Sequence, residues 1–214
     1  MITDCSPDAF QAVGLQHKTR LSADRSAPLV YLVHGRAGNR DVMWAFRRCI
    51  PETFNIIAPE APVPDPVGGF SWWDINSTDS VSGGENAAHR LADFIVRAEE
   101  FYDLAPSIRI GCGFSQGAGT LSVALQRGAY FRGVALLAGF VVERGEFTGD
   151  PTTSVFIAHG TEDEMVSVER ARRGRDFLSS RDFIPQYVED PVGHKVGTGG
   201  MRALSGWFAG FIGK

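Results

Sequence analysis

The chain has 214 residues, with 21 Lys and Arg against 25 Asp and Glu, for a formal net charge of −4. That length can bury a core without disulfide or metal staples, and the mildly acidic balance excludes bulk attraction to a phosphate backbone, so nucleic acid is not an expected partner. Glycine is the outlier at 25 residues, about 12 % against a usual ~7 %, and with no G-X-Y period the excess belongs to particular turns.

The N-terminus, MITDCSPDAF, has neither a basic start nor an apolar run and is not read as a secretory signal. No stretch reaches the ~18 apolar residues of a membrane span. Cys5, Cys49 and Cys112 form no close pair, which argues against a disulfide framework or a zinc cluster; the expectation is a cytoplasmic protein with no metal. No repeat or Pro/Ser linker divides the chain, so residues 1–214 are read as one domain. The first ~28 residues suggest at most an edge hairpin.

From there short apolar runs alternate with longer amphipathic stretches. The runs are 29–33 (LVYLV), 54–58 (FNIIA), 108–112 (IRIGC), 134–137 (VALL), 155–158 (VFIA) and 184–188 (IPQYV). This is the pattern of an α/β fold with a mostly parallel central sheet and helices on both faces. Pro185 marks the last run as an edge strand. Ser82-Gly83-Gly84-Glu85 fits a capping box, followed by Leu91, Phe94, Ile95, Ala98 and Phe101 at helical spacing. Further helices are predicted to start near Gly117, to lie between Val168 and Leu178, and to close the chain with Leu204, Phe208 and Phe211 on one face. Residues 59–81 have no period, and a loop that long in a compact fold is usually functional.

Gly113-Phe114-Ser115-Gln116-Gly117 matches G-x-S-x-G. The five residues alone are weak; directly after an apolar strand and directly before the small-residue start of a helix they are strong. A nucleophilic serine must stand out on a turn too tight for neighbouring side chains, and the helix that follows aims N–H groups at developing negative charge. A dinucleotide fingerprint opening at Gly111 and Gly113 fails at Gln116, and no lysine follows to make a P-loop.

Serine needs a base and the base needs an orienter. In a strand–serine–helix turn of this kind they follow in the order acid, then histidine. Of His17, His34, His89, His159 and His194, only the last two follow Ser115. His159 precedes every acid of its own loop and reads as a structural histidine. His194 lies in a Gly-rich loop before the last helix and is the expected base. Asp163, just after a strand end, is the expected acid, with Glu162 and Glu164 chemically competent beside it. The turn His34-Gly35-Arg36-Ala37-Gly38 follows the first buried strand, so the backbone N–H groups of Arg36 and Gln116 are the expected oxyanion donors, each worth ~3 kcal/mol in a transition state. His34 is read as fixing the turn. Phe70, Trp72 and Trp73 of the aperiodic loop, with Met165 of the acid loop, are the expected substrate contacts; the competing reading is that both tryptophans pin the loop to the sheet. The stretch from Glu169 to Asp176 mixes signs and reads as a solvated helix face.

Taken together, LVHGRAGN (32–39), APEAP (58–62), SWWD (71–74), GFSQGA (113–118), HGTEDEMV (159–166) and GHKV (193–196), in this order, make the chain resemble the phospholipase/carboxylesterase branch of the α/β-hydrolase superfamily from about Val30 onward. The resemblance implies a Ser115–Asp163–His194 triad, a small open site with minimal lid, and hydrolysis of a small-molecule ester or thioester with no cofactor. Members often form dimers, so a homodimer is implied as well. Carboxylesterase is the leading activity, with thioesterase, lysophospholipase or small-lactone hydrolase as alternatives in the same chemistry, and a non-catalytic binding module or a nucleotide binder ranked lower. Two departures stand out: Ala37 where a glycine is common, and Ser167 where a proline usually follows the acid-loop valine.

Overall fold

The computed structural model describes residues 1–213 apart from 76–79, 129–130 and 144–146; at 80 and 81 only the backbone is described. Its strands are β1 (Thr3–Asp4), β2 (His17–Arg20), β3 (Leu29–Val33), β4 (Asn55–Pro59), β5 (Val63–Pro64), β6 (Phe70–Ser71), β7 (Arg109–Phe114), β8 (Gly133–Leu137), β9 (Ser154–Gly160) and β10 (Gln186–Asp190). The helices are α1 (Pro7–Val13), α2 (Ser80–Phe101), α3 (Gln116–Gln126), α4 (Val168–Ser179) and α5 (Thr198–Ala209), with a 3-10 segment at Val42–Cys49.

Eight strands form one sheet in the order β1-β2-β4-β3-β7-β8-β9-β10, and β5 pairs with β6 apart from it. The pairings of β1 with β2 and of β2 with β4 are antiparallel; every other pairing in the large sheet is parallel. The predicted edge pairing near the N-terminus exists, but α1 separates its two strands. That helix was not predicted, although Ser6 caps it through Ala9 N–H (3.1 Å), Pro7 follows the cap and Gly14 ends it at φ 83°. β10 lies at the opposite edge, as Pro185 implies.

Strand alternation divides the core in two. Leu29, Tyr31 and Val33 pack on one face against α2, α3 and α4 through Leu91, Phe94, Leu121, Leu125 and Leu178. Val30 and Leu32 pack on the other against the 3-10 segment and α5 through Met43, Trp44, Leu204 and Phe208. All five residues of β3 are fully buried, which is why its sequence is continuously apolar.

Helix α2 is described from Ser80, so Ser82 lies in its first turn and is not its N-cap; Glu85 pairs with Arg127 at 2.8 Å. The aperiodic loop contains the small β5–β6 hairpin, and Gly38 bridges to Phe70. Its residues 76–79 lie outside the described set. No helix among the described residues is long and apolar enough to cross a membrane.

Candidate active site

The turns after β3, β7 and β9 and the loop after β10 meet at the carboxyl ends of parallel strands, the usual place for a site in an open α/β sheet. Ser115 sits between β7 and α3 with φ 52° and ψ −114°, strained for a residue with a side chain. Its N–H donates to Leu137 O (2.9 Å) and its carbonyl accepts from Gly119 N–H (3.2 Å). The turn closes only because its neighbours lack Cβ atoms: one on Gly113 would stand 2.5 Å from Gly117 O, and one on Gly117 2.2 Å from Val33 O.

His194 reaches Ser115 from the β10–α5 loop, with Nε2 3.1 Å from Oγ. Its Nδ1–H donates to Asp163 Oδ2 at 2.7 Å. An ionised carboxylate only accepts, so this bond places the proton on Nδ1 and leaves Nε2 free to accept from the serine hydroxyl. The Phe114 ring, 5.0 Å away between centroids, flanks the imidazole.

Asp163 Oδ1 accepts from the N–H groups of Met165 and Val166, both at 2.9 Å. Burial opposes its charge, yet these bonds and the facing His194 outweigh burial and hold the carboxyl below its ordinary value. Glu162 and Glu164 point to solvent. His159 is buried; its Nε2–H donates to Val166 O (2.7 Å) and lies 3.3 Å from Asp163 Oδ2. It thus braces the acid loop from behind, a structural histidine whose contact with Asp163 the sequence did not announce.

Gln116 opens α3, where the first N–H groups have no intrahelical acceptor, and Arg36 follows Gly35 in the facing turn. That turn is held from several sides. His34 is fully buried; its Nδ1–H donates to Gly35 O (2.7 Å), and Nε2 accepts from Ala61 N–H (2.9 Å). Burial pushes this imidazole down to about 4, so it stays neutral. Ala37, the departure from the family's glycine, holds φ 56°, and its N–H donates to Ser71 Oγ (3.2 Å). Ser71 in turn donates to Asp65 Oδ2 (2.7 Å), which also accepts from Arg36 Nε (2.9 Å). The Arg36 side chain is therefore tethered to Asp65.

This tether has a pH signature. Arg36 first, then Ser71, hold the Asp65 carboxyl down at about 2, against about 3.9 for a free aspartate. A depressed carboxyl stabilises the fold fully above its unfolded value and loses that contribution as pH falls through its folded value. Arg36→Ala should move the Asp65 inflection upward in a carboxyl 13C titration. An Asp65 that titrates at the ordinary value in the unmutated protein would contradict the tether.

A cavity of about 1150 Å³ opens over Ser115. Trp73 and Met165, two of the four residues named above as substrate contacts, line it. Phe70 and Trp72 do not. Trp72 is 2 % exposed, its Nε1–H bound to His34 O (2.8 Å) and its backbone N–H to Gln116 Oε1 (2.9 Å). Gln116 Nε2 donates to Trp73 O (2.8 Å), so one buried amide ties α3 to both tryptophan residues. Trp72 is thus a pin and Trp73 a wall. Phe70 packs half-buried on the core with its N–H on Gly38 O (2.8 Å). Phe140, Val42 and Phe46 supply apolar wall that the sequence did not single out.

Asp190 was also missed as a structural residue. Its carboxylate accepts from Gly199 N–H (3.2 Å) and Gly200 N–H (2.7 Å), capping α5 and fixing the loop that carries His194. The signal was an acid a few residues before the run Gly197-Thr198-Gly199-Gly200. Ser167, the second departure, stands at the N-cap of α4 without a side-chain cap bond. Among the described residues no three His, Cys, Asp or Glu side chains converge as a metal-holding group. All three cysteines are free, and burial pushes the Cys112 thiol up.

The sheet order and the strand–serine–helix turn are those of the α/β-hydrolase fold. The sequence profile of the phospholipase/carboxylesterase family matches residues 17–205, and the chain belongs to that family of hydrolases. Solved structures agree on the fold. A Bacillus cereus carboxylesterase is similar at TM-score 0.84 and 19 % identity, over 94 % of this chain and 96 % of that one. A protein of unknown function from Agrobacterium tumefaciens is similar at TM-score 0.80 and 25 % identity, over 94 % and 98 %. Acyl-protein thioesterase 2 of Zea mays is similar at TM-score 0.71 and 19 % identity, over 91 % and 97 %. No curated protein sequence matches.

Proposed function

We propose that this protein is a serine carboxylesterase that works through an acyl-enzyme. The observation that carries the reading is the unbroken chain from Ser115 Oγ to His194 Nε2 (3.1 Å) and from His194 Nδ1 to Asp163 Oδ2 (2.7 Å). His194 takes the proton of Ser115 as Oγ attacks the ester carbonyl, and the negative charge that builds on the carbonyl oxygen is met by the N–H groups of Arg36 and Gln116. His194 then protonates the leaving alkoxide, and the acyl group stays on Oγ. Water attacks in the second half, activated by the same imidazole, and releases the acid. Asp163, ionised, holds the imidazole in the tautomer this needs. Three free thiols favour a reducing compartment, so we place the enzyme in the cytoplasm.

The test is a fluorophosphonate probe, with the adduct mapped by mass spectrometry, alongside p-nitrophenyl esters of increasing chain length and an acyl thioester. Labelling at Ser115 together with ester turnover is expected. Faster cleavage of the thioester than of matched esters would reassign the enzyme as a thioesterase. A folded protein that neither labels nor hydrolyses would leave a binding module on a hydrolase scaffold.

A further inference from the structure

The charges around the cavity run against the charge of the chain. Acids outnumber bases overall, yet the charged residues lining the cavity are Arg36, Arg170, Arg173 and Lys195 against Glu143. Arg36 is occupied by Asp65. The other three cations have no carboxylate partner among the described residues.

The helix α4 explains how this arises. Its four arginines divide by helical spacing into two pairs, each three residues apart and so on a common face. Arg172 and Arg175 face β10: Arg172 donates to Glu189 at 2.8 and 2.7 Å, and Arg175 binds Asp176 (2.8 Å) and lies over the Tyr187 ring at 4.8 Å. These two are half-buried and satisfied. Arg170 and Arg173 point the other way, into the cavity. Arg170 stacks over the Phe140 ring, its central carbon 4.1 Å from the centroid. Stacking uses the face of a guanidinium and leaves the N–H groups along its edge free to donate as a fork.

From this we infer that the substrate carries a carboxylate a few bonds from the scissile carbonyl, held by Arg170 and Arg173, with Lys195 lining the same cavity. The inference rests on the hydrolase reading above and names the substrate class within it. A planar carboxylate matches the guanidinium fork in geometry and charge, while Trp73, Phe140 and Val42 present apolar wall to the short chain between. Without substrate, two exposed cations face each other across one turn of α4. Burial, and then the like charge of Arg173, both push the Arg170 guanidinium below its ordinary value, and a bound anion relieves the repulsion. The Phe140 contact holds the guanidinium in place beforehand, so less ordering entropy is lost on binding.

The experiment compares kcat/KM for mono-p-nitrophenyl glutarate with that for p-nitrophenyl pentanoate, after subtraction of uncatalysed hydrolysis. A second arm, 4-carboxyphenyl pentanoate against phenyl pentanoate, places the anion on the alcohol side. A preference of about 10-fold or more for the anionic ester is expected in one arm at low salt, as for a charge-assisted hydrogen bond. It should shrink at high ionic strength. The ratio should fall to near unity in Arg170→Gln/Arg173→Gln and stay unchanged in Arg175→Gln, which faces β10. Turnover of both neutral esters with no anionic preference in either arm overturns the inference while leaving the hydrolase reading intact. If no ester is cleaved, the hydrolase reading falls, and calorimetry with glutarate decides the inference alone: binding heat lost in the double variant supports it, and no heat in the unmutated protein overturns it.

Discussion

Replacing His194 by Ala is expected to lower kcat/KM for a p-nitrophenyl ester by about 10⁴-fold or more, a loss of roughly 5 kcal/mol of transition-state stabilisation. Among the described residues, the imidazole is the group within hydrogen-bond reach of Ser115 Oγ that can take its proton. Without it, attack must proceed from an unassisted hydroxyl. Ser115→Ala should lose as much, and the double variant little more, because the pair acts as one unit. His194 is only partly buried, so its removal should leave the fold close to its original stability. Steady-state kinetics and a melting curve on the same preparations separate the two effects. A His194→Ala protein that keeps a tenth of its activity would remove His194 from the mechanism, and with it the role given to Asp163.

Gly117→Ala should do the reverse, damaging the fold first and the chemistry through it. The added methyl would stand 2.2 Å from Val33 O and 2.5 Å from His34 O. Both are backbone atoms at the end of β3, and neither can rotate away. Relief requires α3 to retreat from the sheet or the His34–Arg36 turn to shift, and the turn is fixed by His34, Ser71 and Trp72. A cost of about 3 kcal/mol is expected, or a drop in Tm of roughly 10 °C for a chain of this size. Because α3 and the His34–Arg36 turn both border Ser115, a shift in either should make residual folded protein slow as well. Gly206→Ala supplies the contrast: it lies in α5 with nothing near the added methyl and should be neutral or slightly stabilising. Equal melting temperatures for Gly117→Ala and the unmutated protein would show that the backbones are not packed as described.

The two experiments probe features that differ in how far the amino-acid order exposes them. Strands β3, β4, β7, β8 and β9 were legible because a parallel strand covered on both faces must be apolar throughout, and that run survives any tertiary detail. The elements missed were short ones. The 3-10 segment at Val42–Cys49 buries Met43, Trp44, Phe46 and Cys49, but its 8 residues are too few for that pattern to stand out from a loop. Helix α1 had its cap, proline and terminal glycine in plain sight, but its seven residues offer too few turns for a period to show. The α2 start was misplaced because Ser82 and Glu85 have the right spacing for a capping box, while the helix already runs from Ser80 and Glu85 is drawn to Arg127.

At the site, the order of residues determined that Ser115 stands on a tight strand-to-helix turn and that Asp163 and His194 occupy later loops of the same sheet. These are local facts: the glycines, the strand ends and the chain order are all written in linear form. Only the tertiary structure decided which aromatic lines the cavity, because adjacent residues Trp72 and Trp73 are both buried and differ in what lies across from them: His34 O and Gln116 for one, the cavity wall for the other. It likewise decided that Arg172 is neutralised while, among the described residues, Arg170 has an aromatic ring and no carboxylate, since Glu189 and Phe140 come from distant segments. Hydrogen-bond and ion-pair partners brought together from far along the chain leave no period and no motif, and they set what a side chain is free to bind.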